Sequence, residues 1–141
     1  MALLNDSVRT EVQKRLKELV NPVKIVNFTQ KVECQFCAET RRLMEEIADL
    51  SAKLSFEVYD FVADKDLARK YRIDKIPATV IVGDKDYGVR FFGIPSGYEF
   101  GSVIESIVMV SKRESGLGAA TKKKLATLAK PLHLEVFVTP T

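Results

Sequence analysis

Apolar residues recur along this chain in two rhythms, one helical and one alternating. Val8, Val12, Leu16 and Leu19 follow at helical spacing after Asn5-Asp6-Ser7, which offers N-cap chemistry, and Asn21-Pro22 ends the run. Residues 23–29 (VKIVNFT) read as a strand whose apolar positions, Val23, Ile25, Val26 and Phe28, point to both faces, as in a buried inner strand. A loop then leads into a helix reaching about Lys53, with Leu43, Met44, Ile47 and Leu50 as its apolar stripe. Residues 54–61 alternate Leu54, Phe56 and Val58 against Ser55, Glu57 and Tyr59, a second strand. Strand, helix, strand predicts a βαβ unit with a right-handed crossover and parallel pairing. A short helix follows over 64–71, and strands over 78–82 and 89–92 flank turn chemistry at 83–86, predicting an antiparallel hairpin. Residues 97–112 form an amphipathic helix through Phe100, Val103, Ile104, Ile107 and Val108, and Gly116 and Gly118 break the chain.

Beyond that break the pattern restarts. A short helix is predicted over 121–129, Pro131 stops it, and a strand follows over 132–138. At an offset of 109 residues, Leu16, Leu19, Pro22, Val23, Ile25 and Phe28 map onto Leu125, Leu128, Pro131, Leu132, Leu134 and Phe137, with Val26 against Glu135 as a mismatch. This is a partial internal repeat of a helix–Pro–strand unit. Carried forward, the offset puts a second Cys-x-x-Cys just beyond Thr141. The expected organisation is therefore one complete unit over 1–112, then a linker plus the first helix and strand of a truncated second unit over 113–141.

Composition narrows the class. With 46% apolar and 29% charged residues in 141, the chain can build a core and is not a disordered protein. Two cysteines are too few for a disulfide-stapled miniprotein. No apolar run approaches the roughly 20 residues of a spanning helix, and no secretory h-region is visible, so membrane partners are not expected. The net charge is only +3, and the one basic cluster, Lys122-Lys123-Lys124, has no interleaved aromatics. That cluster reads as a solvated helix face rather than a nucleic-acid patch. Six Asn plus Gln in a charge-rich chain point to a thermophile.

Both cysteines stand in one motif, Cys34-Gln35-Phe36-Cys37, between a buried strand and a helix. The spacing places the first sulfur at the helix N-terminus and the second one turn in, close enough to bond. Unpaired N–H groups and the helix dipole stabilise a thiolate there, lowering a cysteine from about 8.5 toward roughly 3.5–7.5. Cys34 is thus the expected nucleophile, forming a mixed disulfide with a substrate, and Cys37 the group that resolves it. Two other readings stand beside this. A zinc site would need two further ligands, and the chain has one histidine, His133, unless two chains pool their cysteines. An inert structural disulfide would close little loop entropy over three residues. Ile76-Pro77 is either a plain strand-start proline or a cis peptide bond.

The order strand, CxxC-helix, strand, helix, Pro-strand, strand, helix over about residues 22–112 resembles the thioredoxin/glutaredoxin fold. The extra N-terminal helix, the stretch GDKDYGVRFFGIPSGYEF and the restart at Leu132 make the chain look like the N-terminal unit of the protein disulfide oxidoreductases of thermophiles, glutaredoxin-like proteins of two fused thioredoxin-fold units. The resemblance implies an α/β, three-layer fold, a central mixed sheet flanked by helices. It implies a thiol–disulfide oxidoreductase with no cofactor beyond the Cys34–Cys37 disulfide, acting in the cytoplasm on disulfide-containing client proteins. A thioredoxin-reductase-like donor or glutathione would supply electrons. It also implies a cis Ile76–Pro77 bond, an Ile76 backbone that pairs with substrate, substrate contact at Gln35 and Phe36, and Gly93 as the small residue that lets substrate approach. Thioredoxins carry a buried acid in the strand before the motif, and Phe28 occupies about that place here. Glu33, Glu57 and Asp60 are then the candidate proton acceptors for Cys37. The alternative function is a low-turnover binding or assembly module that dimerises through the unpaired strand at 132–138.

Overall fold

The computed structural model describes residues 2–139; Met1, Pro140 and Thr141 lie outside the described residues, and so does the expectation tied to the chain's end. The elements are α1 (Asp6–Leu16), β1 (Val23–Thr29), α2 (Cys37–Ala48), β2 (Leu54–Asp60), α3 (Lys65–Lys70), β3 (Ala78–Val82), β4 (Asp86–Phe92), α4 (Tyr98–Lys112) and α5 (Ala119–Leu125). Four strands form one mixed sheet in the order β2-β1-β3-β4. β1 and β2 are parallel, with Val23 opposite Leu54 and Thr29 opposite Asp60. β1 and β3 run antiparallel, with Asn27 opposite Thr79, and β3 and β4 form the expected hairpin.

The two sheet faces bury different sets. Val23 and Ile25 share a cluster with Leu43, Met44 and Ile47 of α2, Ile81 of β3, and Val103, Ile104 and Ile107 of α4. Val26 and Phe28 turn the other way, to pack with Ala68 of α3, Ile73, Ala78 and Val80. This is the alternation of a strand covered on both sides. α1 adds Val12 and Leu16 to the first face. Its N-cap is Asn5, whose Oδ1 accepts the Val8 N–H at 3.0 Å. The helix ends sooner than the apolar spacing predicts, at Leu16, yet Leu19 in the following turn is still buried. Ser111 of α4 ties the two ends together. Its Oγ accepts the N–H groups of Val20 (2.9 Å) and Asn21 (3.0 Å) and donates to the Asn21 carbonyl (2.7 Å).

The segment after α4 departs from expectation. α5 spans fewer residues than the pattern predicts, and residues 131–139 form no strand. Every described residue from Lys112 onward is exposed, including Leu134, Val136 and Phe137. Alternation at 132–138 supplies a face, but a strand exists only by pairing its backbone with a neighbour. No such neighbour lies among the described residues.

Candidate active site

Cys34 and Cys37 are joined in a disulfide, with Cα atoms 5.5 Å apart. The helix starts later than the motif spacing suggested. Phe36 is the N-cap, its carbonyl accepting the Thr40 N–H at 2.9 Å, so Cys37 is the first helical residue and Cys34 sits in the turn before it. The first N–H groups of α2 still point into that turn, since they have no intrahelical acceptor. The two sulfurs are in unequal surroundings: Cys34 is partly exposed, whereas Cys37 is 0% exposed. Gln35 and Phe36 between them are exposed.

The Ile76–Pro77 peptide is cis. Pro77 is buried, and its carbonyl accepts the Gly93 N–H at 2.8 Å, tying the start of β3 to the end of β4. Ile76 makes no backbone hydrogen bond among the described residues. Gly93 has φ +86°, and a Cβ there would meet nothing within 4 Å. Phe36, Gly93, Ile94 and Glu99 line one groove of about 750 Å³, bordered on its far side by residues 132–138. Phe36 links that groove to the CxxC turn; neither cysteine lines it. Burial pushes the Glu99 carboxyl above its usual range.

Phe28 faces α3, away from α2, while Asn27 shares the Ile25 face on which α2 packs. Two of the three candidate acceptors are occupied elsewhere. Glu57 binds Lys24 Nζ (2.8 Å) and the Tyr59 hydroxyl (2.8 Å), which hold its carboxyl below the usual range. Asp60 accepts the Ala63 (2.8 Å) and Val62 (2.9 Å) N–H groups. Glu33 is exposed, at φ +55°.

Three residues that sequence reasoning passed over stand out instead. Asn27, Thr40 and Thr79 are each 0% exposed. Asn27 Nδ2 donates to the Ala78 carbonyl at 3.1 Å, but Asn27 Oδ1, Thr40 Oγ1 and Thr79 Oγ1 have no protein partner. An unsatisfied buried group costs about 1–3 kcal/mol. The signal was present: an Asn inside an otherwise apolar strand, and a Thr on the buried stripe three residues after Cys37. Among the described residues, no group of three or more His, Cys, Asp or Glu could hold a metal. No helix among them is long and apolar enough to cross a membrane.

No protein-family model matches the sequence. The chain is 27% identical over 139 residues to the F component of alkyl hydroperoxide reductase from Staphylococcus epidermidis, a match that covers 99% of this chain and 25% of that protein. It is 30% identical over 103 residues to the Staphylococcus aureus protein of the same name, covering 73% and 18%. The chain thus spans about a quarter or less of the length of these curated relatives. Among solved structures, a protein disulfide oxidoreductase from Aeropyrum pernix superposes with a TM-score of 0.79 at 32% identity, covering 90% of this chain and 57% of the other. The alkyl hydroperoxide reductase AhpF of Enterococcus faecalis gives 0.79 at 25%, covering 90% and 62%. A Fasciola hepatica thioredoxin, at 22% identity and TM-score 0.54 over 72% of this chain and 92% of its own, shares the fold. The chain is a thioredoxin-like α/β unit, similar to that of the A. pernix protein disulfide oxidoreductase, and carries a redox dithiol of the thiol–disulfide oxidoreductase kind at the start of α2.

Proposed function

We propose that the protein reduces, forms or exchanges disulfides in client proteins through Cys34 and Cys37. The observation that carries this is the unequal burial of a bonded pair: Cys34 is reachable and Cys37 is not. In the reducing direction the Cys34 thiolate attacks a client disulfide, one client sulfur leaves as thiolate, and a mixed disulfide forms. Cys37 loses its proton and attacks Cys34 Sγ. The Cys34–client bond breaks, the client leaves with both electrons, and the Cys34–Cys37 disulfide returns. Gln35 and Phe36 contact the client from the motif side. The backbone of Ile76 pairs with it beside the cis Pro77, and Gly93 leaves room for it. Dithiothreitol-driven reduction of a model protein disulfide tests this: Cys34→Ser abolishes turnover, and full retention overturns the mechanism.

The same reading takes residues 1–112 as the redox unit and 113–141 as the opening of a second one. Support comes from the burial, which is confined to Leu4–Ser111 among the described residues, and from the similarity to the S. epidermidis protein, which spans 139 residues. The similarity to alkyl hydroperoxide reductase proteins supports a reductase-type electron donor, with glutathione as the other candidate source. Charge-rich composition with few amide residues supports a thermophilic source, and in such organisms an intracellular disulfide fits a cytoplasmic setting. A second reading, dimerisation through residues 132–138, is favoured by the exposure of Leu134 (85%), Val136 (84%) and Phe137 (89%). Deleting residues 119–141 without any change in oligomeric state overturns it.

A further inference from the structure

A second, smaller hollow opens at the same end of the sheet as the client groove. It measures about 310 Å³, at the small end of ligand pockets, which run from about 300 to 1,000 Å³, and so has room for a single bulky side chain. α1 and the segment before it supply Leu3, Leu4 and Val8, α2 supplies Glu39 and Leu43, and α4 supplies Phe100. Residues 94–97 close the remaining side. Glu39, which is exposed, is the one charged residue lining it among the described residues.

The wall formed by residues 3–8 is held in place. Both carboxylate oxygens of Glu46 on α2 accept backbone N–H groups, Leu3 at 2.7 Å and Leu4 at 3.0 Å, and Arg9 stands 3.7 Å from the same carboxylate. Leu4 is 7% exposed and roots the segment in the core, while Leu3 is left 38% exposed. An entering group therefore meets a preformed apolar surface, which keeps the ordering cost of binding low.

Ile94 lines both hollows. An extended client that passes between Phe36 and Gly93 thus continues over Ile94 into the second one. About three to five residues of extended client span roughly 10–17 Å. Side chains alternate along such a chain, so one turns into the apolar walls while its neighbours point away. The lone carboxylate at Glu39 disfavours an acidic side chain there.

We propose that this pocket is a client subsite that selects a large apolar side chain, leucine-like, about three to five residues from the client's reactive cysteine. The inference rests on the oxidoreductase reading above and names the client class that it leaves open. The wall of residues 3–8 lies outside the strand, CxxC-helix, strand order of 22–112, so the preference belongs to the extra N-terminal segment.

The test uses the reduced full chain and peptides whose single cysteine is disulfide-bonded to thionitrobenzoate. Cys34 attacks the peptide sulfur, and the coloured thionitrobenzoate leaves with the electron pair of the broken bond. One leucine is moved along an alanine background on both sides of the cysteine. At one position the leucine peptide reacts about tenfold faster than its alanine counterpart, part of the gain of fully burying a leucine. In Leu3→Asp that ratio falls to about twofold or less, whereas Met109→Asp, an equally exposed change at the other end of α4, keeps the parent ratio. Should Leu3→Asp fail to fold, Leu3→Ser lowers the ratio by less and carries the test. No leucine position that outpaces alanine, or a ratio retained in folded Leu3 variants, overturns the subsite. A ratio lost equally in Met109→Asp, as general loosening would give, also overturns it. A ratio that shrinks as protein concentration rises shows a second copy holding the pocket, and overturns the assignment to clients. Absence of thionitrobenzoate release from every peptide in the parent protein overturns the oxidoreductase reading instead.

Discussion

Gly93→Ala separates the backbone demands of the fold from those of the client groove. At φ +86° the residue sits where an L side chain is disfavoured, although a Cβ there would touch nothing within 4 Å. The cost is therefore backbone conformation alone, roughly 1–2 kcal/mol. For a chain of this size that is a fall in Tm of about 4–8 °C. The Gly93 N–H to Pro77 carbonyl bond (2.8 Å) survives the change, so β4 stays tied to β3 and the protein still folds. The added methyl stands in the groove that Phe36 and Ile94 also line. Loss of close backbone approach should lower kcat/KM for a protein disulfide about tenfold, equivalent to about 1.4 kcal/mol of transition-state binding. Reaction of Cys34 with a small aryl disulfide, which needs no groove, should be unchanged. Thermal melting and the two substrates measured side by side check both halves. Unaltered kcat/KM for the protein substrate in a variant with the expected Tm shift would refute the assignment of Gly93 to the client path.

Other outcomes follow from single contacts. Ser111→Ala removes three hydrogen bonds between α4 and the α1–β1 connection, and should cost about 2 kcal/mol in urea unfolding with no change in m. A loss below about 0.5 kcal/mol would mean that water replaces the hydroxyl. Glu99 has a carboxyl raised by burial above its ordinary 4.5, so the folded protein binds its proton more tightly than the unfolded chain. Both states are protonated well below 4.5, and the stability is lost as pH climbs through the raised value. Glu99→Gln should therefore melt higher than the parent at neutral pH and equally at about pH 4; a pH-independent difference contradicts this.

Much of the fold was legible in the residues themselves. The two-faced pattern of β1, the alternation of β2 and the apolar stripe of α2 are consequences of strand and helix periods, so each element's type followed from its side chains. The CxxC motif lay in one short segment, and its chemistry depends on two sulfurs and a helix start that local sequence supplies. Ile76-Pro77 stood out in the residues as an X-Pro step with two possible forms, and the resemblance chose the cis form and singled out Gly93.

What the sequence by itself determined, then, was local: which segments are helices and strands, where the reactive pair sits, and which faces are apolar. The tertiary structure decided everything that depends on a partner distant in the chain. It turned Phe28 toward α3 and Asn27 to the opposite face of the sheet, because neighbouring strand residues point to opposite sides and only the packed helices decide what covers each side. It left Cys34 accessible and Cys37 enclosed, because only packing against the sheet distinguishes two cysteines three residues apart. It withheld a strand from residues 132–138, since alternation creates a face but only a neighbouring backbone makes a ladder. And it buried Asn27, Thr40 and Thr79, from three elements, with Asn27 Oδ1, Thr40 Oγ1 and Thr79 Oγ1 left without a protein partner, a burial that no spacing along a one-dimensional chain encodes.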